Sequence, residues 1–303
     1  MQDRLTHVLT LVGAASQPGV LTAELVLAAA QHLPSAAEPH WLDPGGAVDI
    51  AFRPPGEFDA RRLANTLRME LGDAPVDVFV QPLAFRRKRL FLADMDSTMI
   101  GQECIDELAD FVGKKAEVAA ITERTMHGEL VFETSLRARV ALLKGLNASI
   151  VDTVLAERIT LTPGGTTLVK TMRANGVWCA LVSGGFTLFT SRLAARIGFD
   201  ENRANTLLVE NGAFTGMVGE PILGRDAKFE ALVDLRAAKH LVKDETMAVG
   251  DGANDLAMIR EAGLGVAFHA KPAVAAAAAA RIDHGDLSAL LFAQGYARSE
   301  FVT

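Results

Sequence analysis

The stretch FLADMDSTMI, residues 91–100, sets an apolar run directly against two aspartates, Asp94 and Asp96, with Ser97 and Thr98 behind them. A strand that finishes in paired carboxylates needs a reason, because like charges held close repel. A cation between them is the simplest one. The apolar half reads as a short strand buried on both faces, the habit of a parallel sheet covered by helices. Runs at residues 177–182, 246–249 and 264–268 share that habit, each bounded by glycine or a charge, with helical stretches between them. Alternation of this kind predicts an α/β fold built on a parallel sheet.

In open α/β sheets, ligands bind beyond the carboxyl ends of the strands. The first run ends in Asp94 and Asp96, the second in Ser183-Gly184-Gly185, and the third in Gly250-Asp251-Gly252-Ala253-Asn254-Asp255. Parallel strands bring these ends to one edge, so the residues should converge. Carboxylates with an Asn, and without His or Cys, are hard oxygen donors that suit Mg²⁺ better than Zn²⁺. Ser183 and the backbone N–H groups of the two following glycines offer donors to phosphate oxygens. Lys228, in GRDAKFEAL at a helix start, is the candidate for the balancing cation. Each motif alone is weak, since aspartates routinely end strands or cap helices and short glycine-rich stretches are common in loops. Their order at successive buried strands is the argument.

Composition sets the outer bounds. The chain has 303 residues, half of them hydrophobic, and a net charge of −7, which supplies no basic surplus for a nucleic-acid partner. The run Arg86-Arg87-Lys88-Arg89 reads as a linker or solvated strand entry. Two cysteines, Cys104 and Cys179, are too few for a disulfide framework and read as small buried hydrophobes, which fits a reducing cytoplasm. Neither a secretory signal nor a membrane span is expected. The alanine-rich run 273–280 reads as a helix.

Two domains are expected. Residues 1–84 carry strand, helix, strand, strand, helix and strand, at 8–12, 21–33, 39–42, 48–52, 59–71 and around 76–80. That is the order of an α+β ferredoxin-like module. Residues 85–303 hold the parallel sheet. The helical block at about 104–160, broken near Gly113, Gly128 and Gly145, is too long for one crossover and reads as an inserted cap. The histidines His127, His240, His269 and His284 show no ligand spacing.

DMDST, LVSGG, Lys228 and VGDGAND together resemble the four motifs of the haloacid dehalogenase superfamily of phosphohydrolases, and more narrowly its phosphoserine phosphatases, from residue 89 onward. The resemblance implies a Rossmannoid sheet with a helical cap and Mg²⁺-dependent hydrolysis of O-phospho-L-serine, the last step of serine biosynthesis. It implies Asp94 as nucleophile and Asp96 as general acid and base. Ser183, Gly184 and Lys228 would hold phosphate, Asp94, Asp96 and Asp251 the metal, with Asn254 and Asp255 supporting. It further implies Glu103 on the substrate ammonium, Arg139 on its carboxylate, and an apolar wall of Met126 and Phe132. GAASQPGVLTAEL resembles the first strand–helix loop of ACT domains, small amino-acid-binding modules, which implies serine sensing or homodimer contacts. Two other functions stay open: phosphoryl transfer to an alcohol such as homoserine, and an amino-acid-binding regulator with an inert phosphatase domain.

Overall fold

The computed structural model describes residues 4–126, 129–224 and 226–303, apart from the Met126 side chain. The N-terminal part runs β1 (His7–Gly13), α1 (Ala23–Ala30), β2 (His40–Asp43), β3 (Ala47–Phe52), α2 (Ala60–Leu71) and β4 (Val76–Pro82). Both helices start on side-chain caps: Thr22 accepts from Leu25 N, and Asp59 from Arg61 N and Arg62 N. Such caps contribute about 1 kcal/mol each. The four strands form an antiparallel sheet in the order β2-β3-β1-β4. Alternation sorts its residues. Leu9, Leu11, Val48, Ile50 and Val78 join Val26 and Leu67 of the helices in one core. Thr10, Asp49, Asp77 and Gln81 point the other way and are also buried.

The remaining chain runs β5 (Leu90–Ala93), α3 (Cys104–Phe111), α4 (Lys115–Met126), α5 (Phe132–Ala141), α6 (Ile150–Glu157), α7 (Gly165–Ala174), β6 (Trp178–Phe186) and α8 (Thr187–Ile197). Then come β7 (Glu201–Asn205), β8 (Leu207–Glu210), β9 (Ala213–Val218), α9 (Ala227–Ala238), β10 (Thr246–Gly250), α10 (Leu256–Glu261), β11 (Leu264–Phe268), α11 (Pro272–Ala277), β12 (Ala280–Ile282) and α12 (Ala289–Ala293). Six strands make a wholly parallel sheet in the order β12-β11-β10-β5-β6-β7. β5 is buried along its whole length. Phe91 and Ala93 face the larger core with α7 and α8, while Leu90 and Leu92 face α9 and α10. No helix is long and apolar enough to cross a membrane among the described residues, and both cysteines are buried and unpaired.

Two expectations need correction, and residues 201–218 add strands beyond the four apolar runs: β7 extends the sheet, and β8 and β9 form a separate hairpin that hydrogen-bonds to the α5–α6 loop through Gly145, Leu146 and Ala148. The alanine-rich run is helical only to Ala277, and Ala280 already pairs with Val266 in β12. The basic run is not wholly solvated. Arg87 and Arg89 make surface pairs, but Arg86 crosses the seam to Asp49, Thr10 Oγ1 and the carbonyls of Phe292 and Ala293. Lys88 is buried as well, donating to Asp244 O at 2.7 Å, and burial lowers its pKa to about 8.

The seam between the antiparallel sheet and the rest combines polar contacts with Val12, Leu42, Ala47 and Phe79, which join the larger apolar core. Asp77 accepts from the backbone N–H groups of Asp283, His284 and Gly285 at 2.7–3.1 Å, and Gln81 Nε2 donates to Ala293 O. Arg86 and Asp49 are about nine-tenths buried, with Nη1–Oδ2 at 2.6 Å. Arg86→Met leaves the Asp49 carboxylate buried without its cation, which should cost about 3–5 kcal/mol. Adding Asp49→Asn should recover part of that loss. Urea unfolding of the three variants checks both points, and equal stability of parent and Arg86→Met would show the pair to be inert.

Candidate active site

The three motif-bearing strands are neighbours, β10-β5-β6, and their carboxyl ends share one edge. Asp94 leaves the end of β5, where its N–H bonds Val249 O across to β10. Its Oδ1 accepts from Met95 N at 2.7 Å and from Lys228 Nζ at 2.7 Å. Lys228, from the first turn of α9, also reaches Asp255 Oδ1 at 2.5 Å. Asp255 is fully buried beneath the end of β10, possible because residue 250 is glycine: a Cβ there would lie 2.3 Å from Asp255 Cγ. Burial alone would depress the Lys228 ammonium, but Asp255 and Asp94 outweigh it and hold the pKa above its ordinary value.

Beyond Asp94 the chain turns sharply. Ser97 has a left-handed backbone (φ 55°), uncommon for a residue other than glycine. From this turn Ser97 Oγ donates to Glu103 Oε1 at 2.7 Å and Thr98 Oγ1 to Asp251 Oδ1 at 3.2 Å. Asp96 Oδ1 accepts from Cys104 N at 2.9 Å, and its Oδ2 lies 3.4 Å from Ser183 Oγ. Burial, then the charge of Glu103, pushes the Asp96 carboxyl up to about 7, and burial with Asp255 raises Asp251 to about 6. Asp94 is also raised, first by burial and then by Asp255.

Four carboxylates thus face one ammonium. Asp94, Asp251 and Asp255 each bring an oxygen to within 4.8 Å of the others. An all-oxygen, acid-rich donor set of this kind fits a hard divalent cation. Of the expected metal set, Asp94 and Asp251 bring carboxylate oxygens together here, with Asp255 beside them, while the Asp96 carboxylate accepts from Cys104 N and lies against Ser183 Oγ.

The remaining expected residues are distributed as follows. Ser183 is buried and accepts from Gly185 N at 2.8 Å. Phe132 is half-buried, and its ring covers Gly184, where a Cβ would lie 3.4 Å from Phe132 Cζ. Arg139 sits on α5 with 3.4 Å contacts to Ser135 O and Thr122 Oγ1, and it forms no ion pair with a described residue. Burial lowers its guanidinium, opposed by Asp106, Glu103 and Asp96. Asn254 is exposed, with Oδ1 folded over Gly252. The Met126 side chain and His127 lie outside the described residues.

Four contributors were not foreseen in the sequence. Ser97, Thr98 and the Cys104 N–H orient Glu103, Asp251 and Asp96. Asn205, 1% exposed at the end of β7, donates to Gly184 O and accepts from Leu223 N, bracing the loop after Ser183. The hydroxyls directly after Asp96 were the available signal. For Asn205, in a polar edge strand, there was none.

Residues 91–260 match the family model of the haloacid dehalogenase-like hydrolases. The chain is 48% identical over 218 residues to a phosphoserine phosphatase of Albidiferax ferrireducens, covering 70% of this chain and 92% of that one. The structure of a probable phosphoserine phosphatase from Vibrio cholerae superposes with a TM-score of 0.76 at 31% identity, over 98% of this chain and 88% of that one. A phosphoserine phosphatase structure described as a phospho-aspartyl intermediate analogue superposes with a TM-score of 0.62 at 40% identity, over 68% of this chain and 98% of that one.

Removing the ammonium tests how the cluster is held. Lys228→Met leaves Asp94 and Asp255 buried without a counter-charge, and should cost about 3–5 kcal/mol in metal-free buffer. Because a divalent cation can replace the missing charge, added Mg²⁺ should raise the melting temperature of the variant more than that of the parent. Equal shifts would mean that cation and lysine do not share the same carboxylates.

Proposed function

The chain belongs to the haloacid dehalogenase-like hydrolase family, and from that premise we propose that it is a phosphoserine phosphatase, converting O-phospho-L-serine and water to L-serine and phosphate through Asp94. The observation that carries this reading is Lys228 Nζ lying between Asp94 and Asp255 beneath a cluster of carboxylates. Its support from relatives is the 48% identity to a phosphoserine phosphatase.

Both hydrogen bonds to Asp94 go to Oδ1, so Oδ2 is the oxygen that attacks phosphorus. As the P–Oδ2 bond forms, the bond from phosphorus to the serine oxygen breaks, and Asp96 gives its proton to the leaving alkoxide. Asp96 then takes a proton from the water that attacks the aspartyl phosphate, which frees Asp94 and releases phosphate. Two displacements through a covalent intermediate replace one harder one. Ser183 Oγ, the Gly184 N–H and Lys228 Nζ hold the phosphoryl oxygens, where fixed donors act most strongly on developing charge. Mg²⁺ held by Asp94, Asp96 and Asp251 would supply further charge neutralisation when bound. The Asp96 carboxylate also serves proton transfer, Asp255 supports the site by holding Lys228, and Asn254 supports the loop that carries Asp251.

Selection of the amino-acid end falls to Glu103 for the ammonium and Arg139 for the carboxylate. The support is positional: Glu103 is fixed by Ser97, and Arg139 forms no ion pair with a described residue. Phe132, over Gly184, forms the apolar wall. The helices α3 to α6, at about residues 104–160 and joined by the β8–β9 hairpin, are the cap over this site. Residues 1–84 form a ferredoxin-like, ACT-like domain, supported by the strand order β2-β3-β1-β4 with both helices on one face, and residues 85–303 form the phosphatase domain.

Asp94→Asn should lower phosphate release from O-phospho-L-serine by at least about 10³-fold while the circular dichroism spectrum stays unchanged. Turnover near the parent rate would remove Asp94 as nucleophile. Arg139→Ala should lower kcat/KM for O-phospho-L-serine by about 10–100-fold, the worth of one charged hydrogen-bonded pair. Phosphoethanolamine, which has no carboxylate, should be hardly affected. Equal losses on both substrates would show that Arg139 acts on the fold instead.

A further inference from the structure

The alanine-rich run has no part in this chemistry, yet it walls a second cavity. A groove of about 390 Å³ lies between α2 of the N-terminal domain and the segment from α11 into β12. Arg61, Asn65 and Arg68 line one side, and Arg281 with a bed of alanines lines the other. Among the described residues no carboxylate lines it. Arg68 is fixed in place, Nη1 on Asn65 Oδ1 at 3.0 Å and Nη2 on Val78 O at 2.8 Å. Arg281 Nε lies 2.6 Å from Asp283 Oδ2, but it is buried without a properly aligned hydrogen bond.

We infer that this groove is a binding site for a phosphate-type oxyanion, free or carried on a small metabolite, clamped by Arg61 and Arg68 of one domain and Arg281 of the other. Guanidinium groups are planar forks that take tetrahedral oxyanions in paired hydrogen bonds, and several around one space select for more than one negative charge. The cations are crowded: burial, then the charge of Arg281, lowers Arg68 to about 10, with Arg61 adding to the effect and Asp283 and Asp77 opposing it. An anion would relieve that repulsion. The alanine side chains of the facing wall leave it room.

The location separates the groove from the catalytic cluster. β12 is the outermost strand of the parallel sheet, with β11 and β10 between it and β5. It also gives the site a consequence. Asp77 binds the backbone just after β12, so an anion held by Arg68 and Arg281 fastens the same seam at a second point.

Isothermal titration of inorganic phosphate into the full chain tests this. Two binding events are expected, one at the acidic site and one in the groove. Arg61→Glu and Arg281→Gln should each weaken one of them by at least about tenfold and leave kcat/KM for O-phospho-L-serine within about twofold, while phosphate raises the melting temperature of the parent more than that of either variant. Arg61 is exposed, so Arg61→Glu carries the test even if Arg281→Gln fails to fold. Displacement of phosphate from the groove by glycerol 3-phosphate assigns it to phosphomonoesters, and retention assigns it to the free ion. Unchanged phosphate binding in Arg61→Glu, or a single binding event abolished by Lys228→Met alone, overturns the inference.

Discussion

The Lys228 ammonium, wedged between Asp94 and Asp255, is the contact on which the rest of the molecule turns. Taking three charges out of water is unfavourable, and apolar residues of similar size would pack there at no such penalty. The lysine lets two carboxylates share one buried cation at that depth. Around it the fold makes matching concessions. Residue 250 has no side chain, so that Asp255 can fold back beneath the strand. β5 lies between β10 and β6, so that aspartates and serine from distant parts of the chain meet at one edge.

How much of this was legible in the sequence follows from burial. The central strands were visible because they are apolar on both faces and stop abruptly at chemically capable residues, as in residues 91–96. The edges were not. β7 reads ENRAN, polar and only partly covered, and β12 has three residues that follow an alanine run whose local preference is helical. The hairpin of β8 and β9 gains its place from contacts with the α5–α6 loop, far away in the chain. Tertiary pairing overrode local propensity at each of these positions.

The site divides along the same line. Asp94, Lys228, Ser183 and Asp251 announced themselves by position at strand ends or a helix start. What the sequence could not reveal was direction. The chain passes through a left-handed Ser97, and the Asp96 carboxylate accepts from Cys104 N; no spacing rule encodes that. Arg86 makes the same point elsewhere. In a run of four cations it reads as solvated, and its burial is decided by Asp49, on a strand 37 residues earlier.

The alternation in β1, β3 and β4 that turns Thr10, Asp49, Asp77 and Gln81 toward the rest of the chain has a last implication. The same faces also carry Val12, Leu42, Ala47 and Phe79 into the larger apolar core. Parting the two portions would therefore bare oily and polar groups at once, which ties the folding of either portion to the presence of the other.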